Sequence, residues 1–129
     1  MEQRIRTAFE RWNRADYSFD DQLMHPDIEI RSLTGLLTGG VYRGREGLAE
    51  WAREVTESFD EWSLVVDEVE ETGPTRVLAV GSVHFRGRES GVAIDAPCAW
   101  LVDHEGGLVT RFEVFANRVS EARAIAAGG

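Results

Sequence analysis

Two oppositely charged side chains near the end of the chain, Arg111 and Glu113, are the residues here best suited to acid–base chemistry. A carboxylate can take up and return a proton, and a guanidinium beside it can hold a developing negative charge. Both fall in the stretch Leu108 to Phe115, whose composition predicts a strand. One face of such a strand presents Val109, Arg111, Glu113 and Phe115, and the other presents Leu108, Thr110, Phe112 and Val114. Apolarity alone buries the second set and leaves Arg111 and Glu113 as a solvated or cross-strand ion pair, worth a few tenths to about 1 kcal/mol. Turned instead toward a hollow walled by Trp12, Trp51 and Trp100, the Glu113 carboxylate would be discharged by desolvation while Arg111 pulled the other way.

The remaining chemistry-bearing residues are sparse. His84 lies mid-strand between Val83 and Phe85 and reads as a sheet-face histidine sooner than as a general base. Asp95 alternates with Ala93 and Pro97, which makes it a polar edge position or a second pocket carboxylate. Cys98 is the single cysteine, with no cationic neighbour in sequence to activate it, so it reads as a small core residue and forms no internal disulfide. No two histidines have ligand spacing, so no metal is expected. The glycines between Ser32 and Gly44 match neither the dinucleotide fingerprint nor the Walker spacing; that segment is a candidate mouth or lid, and no cofactor is expected.

The elements that must position these residues follow from periodicity. Ile5, Ala8, Phe9 and Trp12 predict an amphipathic helix over Glu2 to Ala15, and Leu48, Trp51, Ala52, Val55 and Phe59 predict another over Arg45 to Phe59. Between them, Asp16 to Met24 fits a short helix closed by His25-Pro26, and Ile28 to Arg31 alternates as a strand. Four long strands are then expected over Trp62–Glu70, Thr75–Arg86, Gly91–Val102 and Leu108–Phe115, joined by short turns as an antiparallel meander. Ser120 to Ala127 is expected to form a last, loosely held helical turn.

A chain of 129 residues, 43% hydrophobic and 29% charged, suits one domain over residues 1–129. Its net charge of −9 repels phosphate backbones and anionic lipid, so neither nucleic acid nor membrane is an expected partner. The first residues alternate charge with apolar groups, and no apolar run approaches a membrane span, which predicts a cytoplasmic protein. Helices segregated from a run of strands predict an α+β fold.

The order of elements and four local phrases resemble the SnoaL-like branch of the nuclear transport factor 2-like superfamily. The phrases are His25-Pro26-Asp27-Ile28-Glu29, Tyr42-Arg43-Gly44-Arg45-Glu46-Gly47, Ser90-Gly91-Val92 and the segment from Gly107 to Phe115. The resemblance implies a cone-shaped α+β barrel, three N-terminal helices packed on a curved, mostly antiparallel sheet, with an apolar cavity and commonly a homodimer. Laid against the ketosteroid isomerases of that superfamily, Arg111, Glu113 and Phe115 fall on cavity-lining positions, which makes Glu113 and Arg111 the catalytic candidates. The isomerases' tyrosine and two carboxyl positions fall on Ala8, Ser32 and Cys98, so their oxyanion hole is missing and steroid isomerisation is disfavoured. Ser32 and Cys98 then join Trp12, Trp51, Trp100 and Phe115 as ligand-pocket candidates. Three functions stay open: a cofactor-independent acid–base enzyme (isomerase, cyclase, dehydratase or hydrolase) on a small apolar metabolite, a ligand-binding module without turnover, and a homodimeric interaction domain with a filled core.

Overall fold

In the computed structural model, which describes residues 1–31 and 41–128, three helices pack against one six-stranded sheet. In chain order these are α1 (Glu2–Asn13), β1 (Met24–Arg31), β2 (Val41–Arg43), α2 (Gly44–Ser58), β3 (Phe59–Gly73), β4 (Arg76–Gly87), β5 (Ala93–Glu105), β6 (Leu108–Ala116) and α3 (Val119–Gly128). The strand order is β2-β1-β6-β5-β4-β3, antiparallel throughout except where β1 runs parallel to β6. The sheet is open, with β2 and β3 as its edges, and the α+β class holds.

The expected stripe of α1 buries Ile5, Phe9 and Trp12, and that of α2 buries Leu48, Trp51 and Val55, both against the same sheet face. Asn13, at the end of α1, acts as a strand partner: its amide donates to Leu64 O and accepts from Leu64 N, both at 2.7 Å, tying the helix to β3.

Two helical expectations fail. No helix forms over Asp16 to Met24, because short polar side chains capture the backbone and each other there. Asp16 accepts from the amide and hydroxyl of Ser18 and from Arg11, and the Asp20 carboxylate accepts from the Gln22 amide. Met24 already belongs to β1, and His25-Pro26 lies in an irregular stretch of the β1–β6 pairing, where proline's missing N–H is tolerated. The third helix is therefore not N-terminal. It is α3, and it is firmly seated: Ala122 and Ala126 are buried on the outer sheet face against Leu78, Ala99, Leu101 and Phe115. Small alanines carry little hydrophobic signal in sequence, yet they let the helix backbone approach the sheet closely.

The two sheet faces are thereby distinct. The inner face, toward α1 and α2, holds Val77, Ala79, Val83, Phe85, Cys98, Trp100, Val102, Phe112 and Val114. The outer face is covered by α3 at one end only; at the other, Val65 is 55% exposed beside its neighbours in register, Ser82 and Pro97.

Gly81 sits where β3 crosses closest. A Cβ there would meet Val65 O at 1.8 Å, a backbone atom that cannot step aside. Gly81→Ala is expected to cost about 2–3 kcal/mol in a urea unfolding titration; a loss below about 0.5 kcal/mol would show that the β3–β4 pairing can slip to admit the methyl group.

Candidate functional site

The inner face is packed with aromatic rings. Phe9 and Trp12 of α1 meet Trp100 of β5 and Phe112 of β6 with centroids 4.9 Å (Phe9 to Trp100) and 5.1 Å (Trp12 to Phe112) apart. Trp12 continues to Trp51 of α2 at 5.4 Å, and Trp51 to Trp62 of β3 at 5.8 Å. Beside this cluster lies a cavity of about 30 Å³, lined by twelve residues of which none is polar. Ile5, Ala8, Phe9 and Trp12 form one wall; Leu23, Met24, Ile28 and Ile30 form a second; Leu48, Val102, Val109 and Phe112 complete it. The space is about that of one water molecule, and with no polar partner on its walls a water gains nothing by entering.

Arg111 and Glu113 do not face this cavity. They alternate with Phe112 and Val114, which the inner core buries as apolarity alone expects; a bulge precedes them, where Asp103 pairs with Arg111 but His104 pairs with Val109, so Thr110 is an extra residue. Strict alternation would put Val109 with Arg111; the bulge puts Val109 with Phe112 and Val114 instead, inside, while Arg111, Glu113 and Phe115 stay outside. They line an outer cleft of about 270 Å³ between the sheet and α3, with Leu101 and Ile125 contributing apolar surface and Arg76, Asp103, Arg118 and Glu121 contributing charge. Arg111 Nη2 donates to Glu113 Oε1 at 3.0 Å, with the two side chains 39% and 25% exposed.

This pair belongs to a larger charge pattern. Register aligns Arg43, Glu29, Arg111, Asp103 and Arg76 as one row across five strands, positive and negative in turn. Arg76 Nε reaches Asp103 Oδ1 at 2.7 Å, and Glu29 lies 2.8 Å from Arg31 and 3.8 Å from Arg43. Asp103 first, then Glu113, keep the Arg76 guanidinium firmly charged. Ladders of opposite charges of this kind stabilise cross-strand register and give each of these carboxylates a cationic neighbour.

The other expected pocket residues divide. Trp12 lines the cavity; Trp51 and Trp100 stand behind it in the ring cluster; Cys98 is wholly buried on the same face, its thiol pushed up to about 12 by desolvation and therefore inert. Phe115 lies on the opposite face under α3, and Ser32, with Gly35, Gly39 and Gly40 of the expected mouth, falls outside the described residues, while the end of that segment forms β2 and Gly44 begins α2. Apart from Trp12, and from Ala8, which the resemblance aligned with the isomerases' tyrosine, the residues lining the cavity, Leu23, Met24, Ile28 and Val109 among them, were not assigned by sequence reasoning. The helical stripe containing Ile5 and Ala8 signalled the inner face, and nothing in sequence signalled the bulge. Among the described residues no group of three or more His, Cys, Asp or Glu side chains is placed to hold a metal.

The sequence pattern of the SnoaL-like domain matches residues 5–112, most of the chain. The protein belongs to the SnoaL-like domain family. Solved structures share its fold. An NTF2-like protein of unknown function from Burkholderia pseudomallei is 22% identical over 94% of this chain and 93% of that one, with a TM-score of 0.77. An NTF2-like protein from Burkholderia thailandensis, also 22% identical, aligns over 96% and 95% with a TM-score of 0.80. TerC, co-crystallised with polyporic acid, is 21% identical over 97% and 95% with a TM-score of 0.74. No curated protein sequence matches the chain. Among the described residues of this SnoaL-like protein, no helix is long and apolar enough to cross a membrane.

His84 of this SnoaL-like domain stands on the outer face with both ring nitrogens engaged, Nδ1 with Asp95 at 2.8 Å and Nε2 with Glu61 at 3.0 Å. Those two carboxylates, Glu61 foremost, raise its pKa above the ordinary 6.5. A raised folded pKa means that the histidine's contribution is complete below the unfolded value and is lost as pH climbs through the folded one. The difference in Tm between wild type and His84→Gln is therefore expected to be larger at about pH 5.5 than at about pH 9. A difference that grew with pH would show that the imidazole is neutral between its two acids.

Proposed function

We propose that this SnoaL-like protein binds a small, largely apolar molecule in the inner cavity and does not transform it by acid–base chemistry through Glu113. The observation that carries this is the composition of the cavity wall: twelve residues, every one apolar. Such a wall recognises shape and surface, since each buried methylene contributes roughly 0.8 kcal/mol, and it offers no group to move a proton. At about 30 Å³ the cavity must widen to take such a molecule, and on this reading Leu23 and Met24, unbranched or singly branched chains with several rotamers to choose from, are the wall residues that give way. The family supports a small-ligand role, and the co-crystallisation of TerC with polyporic acid shows that a protein of this fold takes up an organic molecule.

Trp12 on the cavity wall supplies the readout. Titration with benzene, followed by tryptophan emission and by NMR line shape, is expected to saturate. Ala8→Phe, which fills the wall, should weaken binding at least tenfold, whereas Glu113→Gln should leave it within twofold. Equal affinity in Ala8→Phe, or a large loss in Glu113→Gln, would place the ligand in the outer cleft instead.

We infer in addition that two copies associate through the outer sheet face left bare by α3. Val65 and Pro97 give that end of the face an exposed apolar strip in an otherwise charged surface. Light scattering is expected to report a dimer, and Val65→Glu to shift it to monomer with its thermal unfolding otherwise preserved; a wild-type protein that is monomeric at millimolar concentration would refute the association.

A further inference from the structure

The inner cavity is separated from the exterior at one place by very little. A surface cleft of about 160 Å³ runs along α1, lined by Gln3, Arg4, Thr7, Ala8, Arg11, Asp20 and Leu23. Two of these, Ala8 and Leu23, also line the apolar cavity, so the two spaces share a wall made of one methyl group and one isobutyl group. Rotation of Leu23 would join them into a channel with a polar mouth and an apolar end.

The two cations at the mouth are not equivalent. Arg11 is held by two carboxylates, Asp16 at 3.0 Å and Asp20 at 3.4 Å, and by the Ser18 hydroxyl at 2.7 Å. Arg4 spends its terminal nitrogens on carbonyl oxygens, Nη1 on Gly107 O at 2.7 Å and Nη2 on Gln22 O. Carbonyls orient a guanidinium without cancelling its charge, and among the described residues Arg4 forms no ion pair, in a chain whose net charge is −9. Arg4 and Ala8 are also one helical turn apart on one face of α1, about 6 Å along its axis.

From this arrangement we propose that the ligand of the inner cavity is a small monocarboxylic acid, its carboxylate on Arg4 and its apolar body, a single ring or a chain of about five carbons, passing between Ala8 and Leu23. Arg4 fixes the head because, among the described residues, it is the guanidinium at the mouth that no carboxylate pairs. The cavity takes the body because it is dry and apolar. The proposal rests on the binding function inferred above and adds the ligand's class and its port of entry.

Phenylacetate and its neutral counterpart phenylacetamide test it, titrated against the full chain and followed through Trp12 emission. Wild type is expected to bind the acid at least tenfold more tightly than the amide, with the ratio falling toward unity as salt is raised from about 20 mM to about 500 mM. Arg4→Gln should erase the ratio by weakening the acid alone, and Arg4→Lys, which restores the charge, should recover most of it. Equal affinity for acid and amide in wild type overturns the proposal without any variant, so a loss of folding in Arg4→Gln leaves the test intact. Benzene keeps the two inferences apart. If benzene binds and the acid has no advantage, the carboxylate assignment fails and the cavity reading stands; if neither benzene nor phenylacetate binds, the cavity reading itself has failed.

Discussion

The packing of Phe9 and Trp12 against Trp100 and Phe112 is the contact on which the rest of this structure depends. It fastens α1 across the middle of the sheet, and through Trp51 it brings α2 into the same layer. Aromatic pairs of this kind contribute on the order of 1 kcal/mol each beyond the area they bury. Because the rings are stiff and large, they also decide how much room is left. The inner face is filled where they lie and hollow only where α1 passes from aromatic Trp12 to small Ala8. Core and cavity are one continuous packing problem here, set largely by the sizes of residues on a single helix.

The outer face obeys a different constraint. Its row of alternating charges, from Arg43 through Glu29, Arg111 and Asp103 to Arg76, runs perpendicular to the strands and joins five of them. Each member is partly exposed, so each pair is individually modest in energy, but a one-residue slip of any strand would oppose like charges or carry the whole row to the apolar side. The row therefore enforces register more than it adds stability. It also accounts for Arg111 standing among strand residues that are otherwise apolar, while Glu113, outside the row, accepts from Arg111 and lies in register with Arg31.

Much of the architecture was legible from residue spacing. The stripes of α1 and α2 and the four long strands emerge where periodicity is strong, with ends shifted by a few residues. The failures have local physical causes. Asp16, Ser18 and Asp20 supply side-chain acceptors that outcompete a helix, α3 is held by alanines that carry almost no hydrophobic signal, and Thr110 adds one residue that exchanges the two faces of β6 at its start. Arg111 and Glu113 share a face, as alternation expects, and it is the outer one that apolarity alone assigns them; the inward orientation came from the resemblance to the ketosteroid isomerases and not from the residues. Of the expected pocket residues that are described, Trp12 alone lines the cavity, while Ala8 and Leu23, which part it from the surface cleft along α1, are unremarkable in type.

The single parallel pairing in the sheet sets the order in which the molecule can be completed. The hairpins from β3 to β6 close locally and β1 pairs on one side with nearby β2, but its other side, at residues 24–31, is completed only by β6, at residues 108–116. Closing so long a loop is entropically slow. During synthesis that side of the first strand must wait unpaired until β6 has left the ribosome. The hollow beneath α1 is consequently the last region to acquire its walls, since Val109 and Phe112 arrive from the far end of the polypeptide.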